Sequence, residues 1–134
     1  AKFYFFDPGI VRTLRRLPLI APESADFGEF FEHYIFLELK AWIDYRKPDA
    51  ILSYWRSQSG FEVDFIINSD IAIEVKTATI VQEKHLTGLK ALREENKVNR
   101  FVLVCREERA RRIDHIDILP WQLFLEQLWS DNLV

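Results

Sequence analysis

GFEVDFIINSDIAIEVK, residues 60–76, decides the fold of this chain and most of its chemistry. On either side of Asn68-Ser69-Asp70 the side chains alternate with period two, the pattern of two half-buried strands joined by a tight turn. Strands joined by so short a turn must be antiparallel. With Asn68, Ser69 and Asp70 in the turn, Ile67 faces Ile71, Phe65 faces Ile73 and Val63 faces Val75, while Phe61, Val63, Phe65 and Ile67 share one apolar face. A one-residue slip would mix apolar with charged side chains and is disfavoured. The same register sets Asp64 opposite Glu74 and Glu62 opposite Lys76.

Upstream, the run from about Phe27 to Tyr45, FGEFFEHYIFLELKAWIDY, is apolar on almost every side, as in a helix packed within a domain. AILSYWR (50–56) reads as a first strand. Downstream, Thr79 with Gln82 predicts a capping box, and Leu86, Leu89 and Leu92 recur on one helical face until the polar ENK at 95–97. RFVLVC (100–105) is a buried strand, REERARR a charged loop and IDHIDIL (113–119) a weaker strand. Pro120 then starts an amphipathic helix with Trp121, Phe124, Leu125, Leu128 and Trp129 on one side. The order is helix, strand, strand, strand, helix, strand, with a further strand and helix at the C-terminus. It predicts an α/β fold whose mixed sheet is flanked by helices, because a strand that follows a helix returns parallel.

At the N-terminus, FYFF (3–6) reads as a short strand and Pro8 opens a short helix to about Arg16, with Pro18 and Pro22 closing it. Residues 1–22 are thus expected to be a linker from a preceding part of the protein, and 23–134 the domain. The absence of Met and the abrupt start at AKFYFFD agree with a piece of a longer chain.

Of 134 residues, 49% are hydrophobic and 29% charged, with only 4 Gly and 5 Pro, which excludes a disordered or fibrous chain. The single cysteine, Cys105, rules out an internal disulfide framework and fits a reducing, cytoplasmic setting. No apolar run approaches the ~20 residues of a spanning helix, so no membrane partner is expected. No G-x-x-x-x-G-K-[ST] surrounds Gly9, Gly28, Gly60 or Gly88, so these residues form no P-loop and bind no nucleotide in that way. With 18 Lys+Arg against 21 Asp+Glu, the net charge of −3 creates no global attraction for nucleic acid.

Directly opposed carboxylates such as Asp64 and Glu74 repel each other unless a proton or cation intervenes. A hard divalent ion, magnesium or manganese, with water and a phosphate oxygen completing its shell, resolves the conflict. Lys76, beside Glu74 on the same face, would then stabilise charge or move a proton. On the first helix Glu32 shares the stripe of Ile35, Phe36, Leu39 and Ile43, so an acid is directed toward the sheet, where it needs a cation or hydrogen-bond donors. The alternative is an ordinary solvent face, with Glu62 and Lys76 a cross-strand pair worth about 0.2–1 kcal/mol. Four arginines of the charged loop, Arg106, Arg109, Arg111 and Arg112, form either a phosphate contact or a solvated loop. His33 and His85 read as packing or surface histidines, as neither has a second histidine at metal spacing.

Asp64, Glu74 and Lys76 in D-x9-E-x-K spacing, preceded by a helix carrying Glu32 and followed by helix and strand, resemble the PD-(D/E)xK nuclease superfamily. Val63 stands where the namesake proline would be. YFFDPGIVRTL, GEFFEHYIFLEL, SYWRSQSGFEVDFII with IAIEVK, and DILPWQLFLEQLW together resemble the C-terminal domain of unknown function of bacterial and archaeal AAA+-type ATPases. The resemblance implies a restriction-endonuclease-like core and an N-terminal ATPase module in the same polypeptide. It also implies Asp64 and Glu74 as metal ligands, Lys76 as catalytic lysine, Glu32 as the first-helix acid, and, less strongly, Gln82 and Lys84 as backbone contacts to DNA, against their commoner reading as solvated residues at a helix start. Three functions remain open at this point: metal-dependent hydrolysis of DNA, a catalytically silent module binding nucleic acid or protein, and a homo-oligomerisation cap using the Trp121, Phe124 and Leu128 stripe.

Overall fold

The chain is described by a computed structural model over residues 25–134. The strand expected at 3–6 and the short helix after Pro8 lie outside the described residues. Helix α1 (Ala25–Arg46) carries Asp26 in its first turn and Arg46 in its last, matching the helix dipole at both ends. It stops just before Pro48, whose ring disfavours helical geometry in the preceding residue. Strands β1 (Leu52–Arg56), β2 (Glu62–Ile67) and β3 (Ile71–Val75) follow, then a 3-10 turn (Glu83–His85) and helix α2 (Thr87–Arg93). Strands β4 (Arg100–Cys105), β5 (Arg111–Ile113) and β6 (Ile116–Pro120) lead into helix α3 (Trp121–Trp129).

All six strands form one mixed sheet in the order β1-β2-β3-β4-β6-β5. The β1/β2, β2/β3 and β5/β6 pairs are antiparallel, whereas β3/β4 and β4/β6 are parallel. Alternation along the central strands divides the core in two. Ile71, Ile73, Val75, Val102 and Val104 pack with α1 and α3, while Ala72, Leu103, Phe101 and Cys105 pack with Leu86, Leu89 and Leu92 on the other face. The result is a helix–sheet–helix sandwich, the α/β class expected.

The apolar stripe of α3 is used inside the chain. Phe124 and Leu128 are fully buried. Trp121 sets its ring edge-on to Phe31 and Tyr34 of α1, and the Trp129 indole donates to Glu38 at 2.7 Å. Trp42 donates to Asp131 at 3.0 Å, pinning the segment after α3 to α1. No helix among the described residues is long and apolar enough to cross a membrane.

Three local expectations are corrected. The strand read over 113–119 is a hairpin, because Asp114 and His115 both take positive φ (49° and 67°), as both central residues of a type I′ turn must. The capping box lies three residues later than Thr79: Gln82 caps the 3-10 turn and its N–H donates to His85 Nδ1 at 2.9 Å. Finally, Val63 does not share a face with Phe65 and Ile67 but packs against Val81, Leu86 and Leu89. The β1/β2 register explains this, since Ser53 pairs with Ile66 but Trp55 with Val63. Asp64 and Phe65 together therefore oppose Tyr54 alone, a bulge that reverses the alternation at Asp64.

The bulged end of β2 lies directly under α2. A Cβ built on Gly88 would fall 2.1 Å from the Glu62 carbonyl oxygen, so only glycine allows the helix to approach the strand backbone this closely. At Gly28 a Cβ meets nothing within 4 Å. Gly88→Ala is thus expected to lose about 1–3 kcal/mol of unfolding free energy through overpacking, whereas Gly28→Ala, at the end of the first turn of α1, should be neutral or gain up to about 1 kcal/mol. Denaturant titration of the two variants checks the contrast.

Candidate functional site

Beyond Phe65 and Ile73 the paired register of β2 and β3 ends, and side chains take over the hydrogen bonding. Val75 N–H, on the edge of β3 that faces β2, donates to Asp64 Oδ2 at 2.8 Å. In return Asp64 N–H donates to Glu74 Oε1 at 3.2 Å. Both carboxylates are only 6% exposed, the two buried acidic residues among those described. Ordinary surface acids would not be buried at all, so the solvent-face alternative is set aside for Asp64 and Glu74.

Where the strands part, a cleft of about 200 Å³ opens, lined by Asp64, Glu74, Lys76, Lys84, His85 and Thr87, with Gly60, Phe61, Glu62 and Gly88 completing it. Three of the residues singled out by the D-x9-E-x-K spacing, and Lys84 with them, thus meet at one place. Glu62 and Lys76 both line this cleft but do not form the ion pair that the strand register had implied. Glu62 pairs across to β1, with Arg56 opposite in register and Arg56 Nε 3.6 Å from Glu62 Oε1. Among the described residues Lys76 is left without an ion pair and half-buried at the cleft.

Glu32 is half-buried on α1 and is not among the residues that line the cleft. Gln82, exposed beside the cleft, serves as the cap described above. Of the loop arginines, Arg111 forms a two-point contact with Glu107 at 2.8 Å and also donates to the Val81 carbonyl. The Arg111 guanidinium, and with it the Val81 N–H donated to Glu107 Oε2 at 2.6 Å, holds Glu107 below the usual carboxylate range. Arg106 lies over the Phe27 ring at 5.1 Å and Arg112 pairs with Asp117 at 3.3 Å, while Arg109 is exposed. Most of this cluster therefore has partners within the chain. Cys105 is buried, and burial pushes its thiol pKa up, away from reactivity.

Sequence reasoning treated His85 as a packing or surface residue and passed over Thr87 and Gly88. Two signals could have found them: a glycine inside the Leu86–Leu89 helical pattern, which marks a close approach, and a histidine three residues after a capping glutamine. The His85 pKa is lowered by partial burial first, then by the positive charges of Lys76 and Lys84.

A depressed histidine pKa favours the folded state above the unfolded value near 6.5, and that contribution is lost as pH falls through the folded value. Protonation also removes the Nδ1 acceptor from the Gln82 N–H. An NMR titration should therefore place the His85 midpoint below the ordinary histidine value, and Lys76→Gln should raise it.

The donor set at the cleft is two hard carboxylates. Among the described residues no group of three or more His, Cys, Asp or Glu side chains is arranged to hold a metal. Two carboxylates are oxygen donors of the kind a hard cation such as magnesium takes, with water completing its shell.

Comparison with curated proteins and with solved structures gives no match. Residues 27–124, running from the first turn of α1 into α3, match the family described as Domain of unknown function (DUF4143), and the chain belongs to that family.

Proposed function

We propose that this is a nuclease-like domain that hydrolyses phosphodiester bonds of DNA with the help of magnesium or manganese, and that it works as the C-terminal part of an AAA+-type ATPase. The observation that carries the chemistry is the meeting of two buried carboxylates with Lys76 and Lys84 at one open cleft. The element order, helix, three strands, helix and strand, supports a restriction-endonuclease-like core. The ATPase context rests on the resemblance of the chain's sequence segments to that family, and a cytoplasmic setting goes with it.

Asp64 and Glu74 are the residues that would hold the ion. A bound divalent cation supplies a water of lowered pKa and positive charge against the developing phosphate charge. The chain's own contribution is positioning. Each carboxylate is oriented by a backbone N–H donated to one of its oxygens, so its rotamer is set before any ion arrives. The Lys76 ammonium, beside Glu74, orients the attacking water and balances charge on the reacting phosphate. Lys84 attracts a non-bridging phosphate oxygen from the other side of the cleft. Arg109, exposed on its loop, is available for a sequence-independent backbone contact.

The test is strand breakage by the full-length protein on supercoiled and single-stranded DNA with magnesium or manganese. Wild type should cut, and Lys76→Ala should slow cutting by about a hundredfold or more. Asp64→Asn keeps an oxygen to accept the Val75 N–H, so it should fold yet lose both cutting and calorimetric divalent-ion binding. Salt-sensitive DNA binding with no breakage in any sample would instead make the domain a silent binding module.

A further inference from the structure

We propose that His85 is a substrate-contacting residue of the cleft, donating a hydrogen bond from Nε2–H to a non-bridging oxygen of a nucleic-acid phosphate seated between Lys76 and Lys84. The inference rests on reading the cleft as a phosphodiester site, and it names the group that fixes the phosphate there.

A neutral imidazole has one donor and one acceptor nitrogen, and the bond made by one nitrogen sets the other. Here the choice is made by the backbone. Gln82 N–H donates to His85 Nδ1 at 2.9 Å, so Nδ1 must be the acceptor and the proton resides on Nε2. The backbone beneath the ring is fixed as well, because the His85 main-chain N–H donates to the Gln82 carbonyl at 2.9 Å and closes the 3-10 turn. The bond from Gln82 N–H to Nδ1 caps the 3-10 turn and leaves the Nε2 donor unused by it, in a residue that lines the cleft.

The cleft sorts its charges. Asp64 and Glu74 are buried, whereas Lys76, Lys84 and His85 stand at less buried positions around them. Among the described residues neither lysine has an ion pair. Two ammonium groups and one directed N–H around an acidic floor suit an anion that brings several acceptor oxygens, as a phosphodiester does. Thr87 does not compete, as its hydroxyl donates to the Lys84 carbonyl at 3.3 Å. The charged groups facing His85 are Lys76 and Lys84 together with Glu62, Asp64 and Glu74 of the same cleft. Partial burial, and after it the two lysines, favour the neutral ring, the form that has the donor at Nε2 and the acceptor at Nδ1 together.

The experiment uses the full-length protein and a fluorescent single-stranded oligodeoxynucleotide, with affinity read by anisotropy in a metal chelator so that no turnover is needed. His85→Asn retains an acceptor where Nδ1 stood and removes the Nε2 donor. His85→Gln places an amide donor near the Nε2 position. We expect roughly tenfold weaker binding for His85→Asn, partial recovery in His85→Gln, and a Tm for His85→Asn close to wild type. Wild-type affinity in both variants overturns the proposal, as does an equal loss in both that follows an equal fall in Tm. A wild-type protein that does not bind the oligonucleotide overturns it too. The two readings separate cleanly. Wild-type protein that cuts DNA with magnesium while His85→Asn binds and cuts equally well leaves the nuclease reading standing and removes this one; His85-dependent binding without any cutting does the reverse.

Discussion

Two buried carboxylates hold the end of the β2/β3 hairpin, and the rest of the site depends on how they do it. An acid removed from water costs several kcal/mol unless donors replace its hydration. Asp64 and Glu74 obtain donors from the strands themselves, each accepting an N–H where the paired backbone register has ended. The side chains thereby substitute for the missing ladder bonds, and the strands can separate without orphaning these N–H groups. The separation is the cleft.

The same place carries the bulge. Because Asp64 and Phe65 oppose one residue of β1, Val63 turns to the α2 side of the sheet, where it helps to seat Val81, Leu86 and Leu89. α2 then comes down on the Glu62 carbonyl, an approach that only Gly88 permits. The close approach brings Lys84, His85 and Thr87, just before and at the start of α2, over the acids of the strands. Hydrogen bonding, strand geometry and helix packing thus converge on one short stretch of β2. Bulges are common beside functional sites because they re-aim side chains in this way.

Charge elsewhere is largely balanced between neighbours. Arg111 and Glu107, Arg112 and Arg100 with Asp117, and Lys90 with Glu83 and Asp114 each pair across elements. Lys90–Asp114, Arg100–Asp117 and Arg111–Glu107 tie the β5/β6 hairpin to its surroundings, and being largely exposed these pairs are worth little individually. Lys76 and Lys84 lack such partners among the described residues, so their field acts on the cleft and on His85.

Much of this was legible in residues 60–76. Period-two alternation placed the turn at Asn68–Asp70, set Phe65 opposite Ile73 and Ile67 opposite Ile71, and put Asp64, Glu74 and Lys76 near one another. The α/β order followed from helical and strand periodicities alone, since local patterns of burial are written in the order of side chains. The bulge was not legible, because it arises from the pairing of β2 with β1 and reverses an alternation that β2 by itself displays. The split of 113–119 into a hairpin was hidden for a related reason: Asp114 and His115 tolerate positive φ but do not announce it as glycine would. The joining of His85 and Gly88 to the acids likewise required α2 to dock on the sheet. Sequence by itself therefore determined the elements and the chemical types available, which depend on near neighbours in the chain. Only the tertiary structure decided which of those side chains share a cleft, because that depends on contacts between segments far apart in sequence.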